Sequence, residues 1–108
     1  MFSKELTDFI KAQTERVKKY YDCHDPKMFA LTSTVKLNEE LGELCQEILA
    51  TTGMRRKGKA DKHNKQTLSE EFADVLITCL ILANSLDIDV EKALLEKSQK
   101  VTSFYSNS

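Results

Sequence analysis

The sequence predicts an all-α fold, an antiparallel helical bundle of about four helices completed by dimerisation. Apolar residues recur at threes and fours along nearly the whole chain, the period of a helix with one buried face. One proline and three glycines in 108 residues leave few places for the chain to turn, and no run alternates apolar with polar residues as a half-buried strand would. A single domain of this size, residues 1–108, hides only about two-thirds of its unfolded surface. A second copy would cover more.

The elements follow in order. Phe2, Leu6, Phe9, Ile10, Val17 and Tyr20 or Tyr21 give a first helix over about 4–21. "CHDPK" interrupts it. Pro26 suits a first helical position with Asp25 as its cap, and a second helix, with an irregularity expected around "LTST", should run to about Thr52, where Gly53 stops it. "TLSE" reads as a capping box, Thr67 accepting from the backbone and Glu70 reaching back, so the third helix is expected from about Leu68 to Ser85. Its middle, "VLITCLILA", is apolar on every side and belongs between several neighbours. Asp89 is the expected N-cap of a fourth helix carrying Val90, Ala93, Leu94, Leu95 and Val101, with "SFYSNS" expected to fray.

Composition narrows the function. Sixteen Lys and Arg balance seventeen Asp and Glu, which gives no reason to expect a nucleic-acid binder or a protein held on an anionic membrane. The N-terminus has no continuous apolar core of the secretory kind, and the longest apolar run is about half the ~20 residues a bilayer requires. Cys23, Cys45 and Cys79 lack C-x-x-C spacing and read as buried or half-buried thiols in a reducing compartment. A cytoplasmic location is expected.

Charge is instead concentrated. In "KLNEELGELCQEIL", Glu39, Glu40, Glu43 and Glu47 crowd one stretch, with Lys36 as the nearby cation. Glu40 and Glu43 lie about 60° apart around a helix and ~4.5 Å apart along it, so their carboxyls can converge. "EEFADV" repeats the spacing with Glu71 and Asp74. Antiparallel packing of these helices would place the two pairs face to face, where like charges ~4 Å apart repel by about 1 kcal/mol in water and several-fold more at an effective dielectric of ~20. Protonation or a divalent cation would relieve this. An all-oxygen set without histidine or thiolate favours Mg²⁺, with Mn²⁺ as a substitute, over zinc. His24 and His63 stand outside any E-x-x-H pattern, which disfavours a ferritin-like di-iron centre. Spacing alone is equally compatible with a solvated acidic edge.

Between the second and third helices "MRRKGKADKHNK" holds Arg55, Arg56, Lys57, Lys59, Lys62 and Lys65 against one acid, Asp61. It reads either as a solvated linker or as a cationic lid over a polyanion held on metal.

"EELGEL", then "EEFADVLI", then "LANSLDIDVEKALLEK" resembles the MazG-like group of all-α nucleoside triphosphate pyrophosphohydrolases, whose hallmark is E-x-x-E with a later E-x-x-D, over roughly residues 28–100. The resemblance implies Mg²⁺ ligands at Glu40, Glu43, Glu71 and Asp74, with Glu39 or Glu40 as general base. It also implies a nucleoside triphosphate substrate cleaved between its α- and β-phosphates to a monophosphate and pyrophosphate. Lys97 matches a family lysine on the last helix, Arg55, Arg56 and Lys57 are candidate loop contacts for the leaving pyrophosphate, and Asn84 is a candidate substrate contact or a buried group bonded to the protein. A homodimer or dimer of dimers, with sites near the subunit interfaces, is implied too. The chain departs from the pattern after Lys97, where "KSQK" replaces the frequent asparagine and basic residue, and "DVLIT" lacks the histidine of the phosphoribosyl-ATP branch. A silent metal or nucleotide sensor and a purely structural helical adaptor are the competing readings.

Overall fold

The computed structural model describes residues 2–53 and 64–106, and these hold four α-helices and no strand. Arg55, Arg56 and Lys57, with Lys59, Lys62 and His63, lie outside the described residues.

Helix α1, Lys4–Tyr20, starts on Ser3, whose hydroxyl accepts from the Leu6 N–H. It ends in a left-handed turn at Asp22 (φ 50°), where the Cys23 N–H reaches back to the Lys18 carbonyl at 2.8 Å. Helix α2, Pro26–Thr51, has Pro26 in its first turn and Asp25 at the cap position without a side-chain cap bond. It runs unbroken through "LTST", where Thr34 Oγ1 donates to the Ala30 carbonyl along the helix. Gly53 ends it with φ 76°, as expected of that residue.

Helix α3, Lys65–Ser85, begins three residues before the expected Leu68. The cap is Asn64, which accepts from the Thr67 N–H at 3.0 Å, while Thr67 Oγ1 accepts from the Asn64 N–H at 2.9 Å. Threonine therefore closes the capping box from its third position instead of opening one with Glu70, which accepts from Gln66 Nε2. Helix α4, Val90–Ser106, is capped by Asp89, whose carboxylate accepts from the Lys92 N–H. It continues as helix through "SFYS", where fraying was expected.

Helix α3 packs against both α2 and α1. It is antiparallel to α2, since Glu47 meets Thr67 near one end and Glu43 meets Glu71 one turn further along. It also meets α1, where Asn84 Nδ2 donates to Thr14 Oγ1 at 3.2 Å. The core is small, with Ile10, Phe29, Leu44, Ala50 and Ile81 buried and the Lys18 ammonium 5.4 Å above the Phe29 ring. Helix α4 buries no residue, and its start is tied to the chain's beginning by the Phe2 N–H on Glu91 Oε1. The radius of gyration, 17.0 Å, exceeds the roughly 13 Å of a compact chain this long.

Helix α3 was expected to be covered on every side. Two neighbours flank it, and Phe72 and Leu76 remain 47% and 61% exposed. Cys23 and Cys79 are half-buried, whereas Cys45 is exposed on the side of α2 away from α3. No described helix is long and apolar enough to cross a membrane.

Candidate active site

The buried face of α2 carries Phe29, Ser33, Glu40, Leu44 and Glu47, spaced at threes, fours and sevens so that one stripe faces α3. Two glutamates thus lie on the same buried stripe as Phe29 and Leu44. Each turn back along α2 is answered by a turn forward along α3, so Glu47 stands against Thr67, Glu43 against Glu71 and Glu40 near Asp74. The acidic pairs are in register because their i, i+3 spacings match.

Carboxylate oxygens of Glu40, Glu43 and Glu71 lie within 4.8 Å of one another. Glu40 is buried, Glu71 half-buried and Glu43 exposed, so the cluster opens to one side. Lys36 Nζ donates to Glu40 Oε1 at 3.0 Å and lies 3.8 Å from Glu39 Oε2. That hydrogen bond is the main reason the lysine holds its proton more tightly than usual. Burial first, then the charges of Asp74, Glu43 and Glu40, raise the Glu71 carboxyl above its ordinary range. Partial desolvation, then Glu40 and Glu70, do the same to Asp74, with Lys36 opposing.

Among the described residues, one ammonium, that of Lys36, faces this many carboxylates. Glu40 Oε2 and Glu71 Oε2 are both buried without a hydrogen-bond partner among the described residues, a costly arrangement for anionic oxygens unless a cation completes it. Hard oxygen donors converging from two helices fit Mg²⁺ or Mn²⁺.

The other expected residues are placed differently. Asp74 is outside the converging trio, one turn beyond Glu71, although its carboxyl feels the Glu40 charge. Asn84 bonds Thr14, about 20 Å along α3 from Glu71. Lys97 is exposed on α4, and no ion pair among the described residues joins it to the seam. Glu47 belonged to the crowded acidic stretch without an assigned role, yet it is buried and accepts from Thr67 Oγ1. Its spacing of seven from Glu40 was the signal that both share a face.

Beside the cluster a cavity of about 500 Å³ opens between α1, α2 and α3. Val17, Phe29, Ile77 and Ile81 form apolar walls, Gln13 stands on the α1 side, and Lys36 and Glu39 border both the cavity and the acids. A ligand with a flat, weakly polar body and a polyanionic tail matches that sequence of surfaces.

The profile of the MazG nucleotide pyrophosphohydrolase domain matches residues 30–105. The chain is also similar to the uncharacterized protein YpjD of Bacillus subtilis (strain 168), at 44% identity over 63 residues, which are 58% of this chain and 55% of that protein. The matched part is thus about half the length of that relative. No solved structure matches.

Proposed function

Because the chain belongs to the MazG nucleotide pyrophosphohydrolase domain family, we propose that it acts as a single domain which hydrolyses a nucleoside triphosphate to a nucleoside monophosphate and pyrophosphate. The observation that carries this reading is the convergence of Glu40, Glu43 and Glu71 around two buried carboxylate oxygens that lack partners among the described residues.

Those three residues, with Asp74 joining after a side-chain rotation, would hold Mg²⁺ or Mn²⁺. Such an ion, when bound, supplies charge neutralisation for the polyphosphate and acidifies the attacking water. Glu39 would take the proton from that water. It borders the cavity and is tethered by Lys36, while Glu40 is already committed to the lysine and the cluster. Lys36 keeps Glu40 pointed into the site. The nucleoside would lie between α1, α2 and α3, its α-phosphate directed past Lys36 to the acids. Arg55, Arg56, Lys57 and Lys97 are the cations proposed to meet the leaving pyrophosphate. A homodimer or dimer of dimers would let Lys97 approach from a neighbouring copy. Asn84, bonded to Thr14, serves helix packing in this reading.

Phosphorus NMR of a panel of canonical and modified nucleoside triphosphates with Mg²⁺ tests the proposal. Monophosphate and pyrophosphate should appear for at least one nucleotide and disappear with Glu43→Gln. The "KSQK" departure after Lys97 supports a second reading, a nucleotide sensor without turnover. Tight binding across the panel with no product would select it, and neither binding nor product would reject both.

A further inference from the structure

The acidic trio forms only if α2 and α3 hold one axial register, and like charges resist that register. The same apolar side chains along the seam, Phe29, Leu44 and Ile81, would tolerate a slide, because a helix presents similar ridges every turn of about 5.4 Å. Carboxylate oxygens of Glu40, Glu43 and Glu71 within 4.8 Å of one another repel, which favours such a slide in the absence of metal. Something specific has to oppose it.

Glu47 and Thr67 lie one turn from the trio, Glu47 four residues after Glu43 and Thr67 four residues before Glu71. Glu47 is only 8% exposed, and its Oε1 receives the Thr67 hydroxyl at 2.5 Å. The oxygen is itself fixed, since Thr67 Oγ1 accepts the Asn64 N–H of the capping box, and its one proton has two acceptors in reach, Glu47 Oε1 at 2.5 Å and the Asn64 carbonyl at 2.8 Å, of which the carboxylate is the nearer. A β-branched side chain held at its oxygen by a backbone donor has little freedom to follow a displaced glutamate. A one-turn slide would therefore break the Glu47–Thr67 hydrogen bond at a buried carboxylate, a penalty that the apolar contacts do not impose.

We infer that the Glu47–Thr67 hydrogen bond is the positioning pair that sets the register of α2 on α3 and so brings Glu43 opposite Glu71. Thr67 thereby has two roles, closing the α3 cap and transmitting the fixed position of that cap to α2. Glu47 acts through its acceptor oxygen and not as a ligand, being absent from the converging set. The consequence for metal affinity rests on reading the trio as a dication site, whereas the register itself does not.

Two measurements separate these. The first is Mn²⁺ binding followed by EPR in the full chain. Thr67→Val should weaken binding about tenfold, the lower end for loss of a residue that orients metal ligands. Thr67→Ser should restore it, and Glu47→Gln, which keeps an acceptor oxygen, should stay near wild type. Asn64→Ala removes the side-chain acceptor of the cap but keeps the backbone N–H that holds Thr67 Oγ1, so it should lose thermal stability while losing less affinity than Thr67→Val. The second is the rate of oxidative closure between Glu43→Cys and Glu71→Cys, without the native cysteines and without metal; adding Thr67→Val should slow it about tenfold, as the same loss of alignment predicts. Slowed closure in a protein that binds no Mn²⁺ would uphold the register pair and defeat the metal site. Unchanged closure with Thr67→Val overturns the inference. So does a Glu47→Gln loss of Mn²⁺ affinity as large as that of Glu43→Gln, which would make Glu47 a ligand.

Discussion

Glu71 is the residue at which burial and charge oppose each other most visibly. Its partly buried carboxyl faces Asp74, Glu43 and Glu40, so the ionised form is disfavoured in the folded chain. The folded state then keeps this proton to higher pH than the unfolded state does, whose value is near 4.5. Its contribution to stability is complete below that value and is lost as pH rises through the raised folded value. Glu71→Gln imitates the protonated form and should escape the loss. In EDTA, the melting temperature of Glu71→Gln relative to wild type should rise between about pH 4 and pH 7, a difference that cancels titrations common to both chains. Mg²⁺ should reverse the ranking at neutral pH by stabilising wild type through mass action. A difference that is flat with pH would mean that Glu71 ionises as freely as a solvent-exposed carboxylate.

At the scale of the helix, what could be read from sequence was what is decided locally. Pro26 and Gly53 bracket α2 because one presets a helical φ and the other accepts φ 76°. The paired acids were legible because E-x-x-E and E-x-x-D need only the helical repeat. The start of α3 was not, because "NKQTLSE" offers both Asn64 and Thr67 as caps, and pattern alone does not rank two good cap residues three apart. Opposition across two helices was even less accessible. That Glu47 meets Thr67, and that Asp74 stands outside the converging trio, depends on the register of packing, which no single segment encodes. The cap makes its own prediction. Asn64→Ala should lower stability by about 1 kcal/mol in thermal or urea unfolding, with the Thr67 N–H losing protection from hydrogen exchange. No loss would move the functional cap elsewhere.

The whole molecule is an incomplete bundle. Among the described residues, three helices enclose five buried apolar side chains, while a fourth helix of seventeen residues buries none. Large apolar side chains on α2, α3 and α4 remain exposed. Leu41 on α2, Phe72 and Leu76 on α3 and Leu86 just past its end are open to solvent, as are Leu94, Val101 and Phe104 on α4. The start of α4 is tied to Phe2 through Glu91, and its Leu94, Leu95 and Val101 stay open to solvent. A second copy would supply the missing layer, and area removed from water at about 25 cal/mol per Å² makes that burial a sizeable fraction of the stability available to a chain this short. Leu76→Glu tests the argument at its most exposed apolar position on α3. In a monomer, a charge at a 61% exposed site should change stability by no more than about 0.5 kcal/mol. In a dimer the same charge enters the interface without a partner and should dissociate it. Light scattering should give wild type a mass of at least twice the 12.3 kDa chain, and Leu76→Glu the mass of one chain with its helical circular dichroism retained. A wild type that scatters as a single chain at high concentration would mean that these apolar faces are covered by something other than another copy.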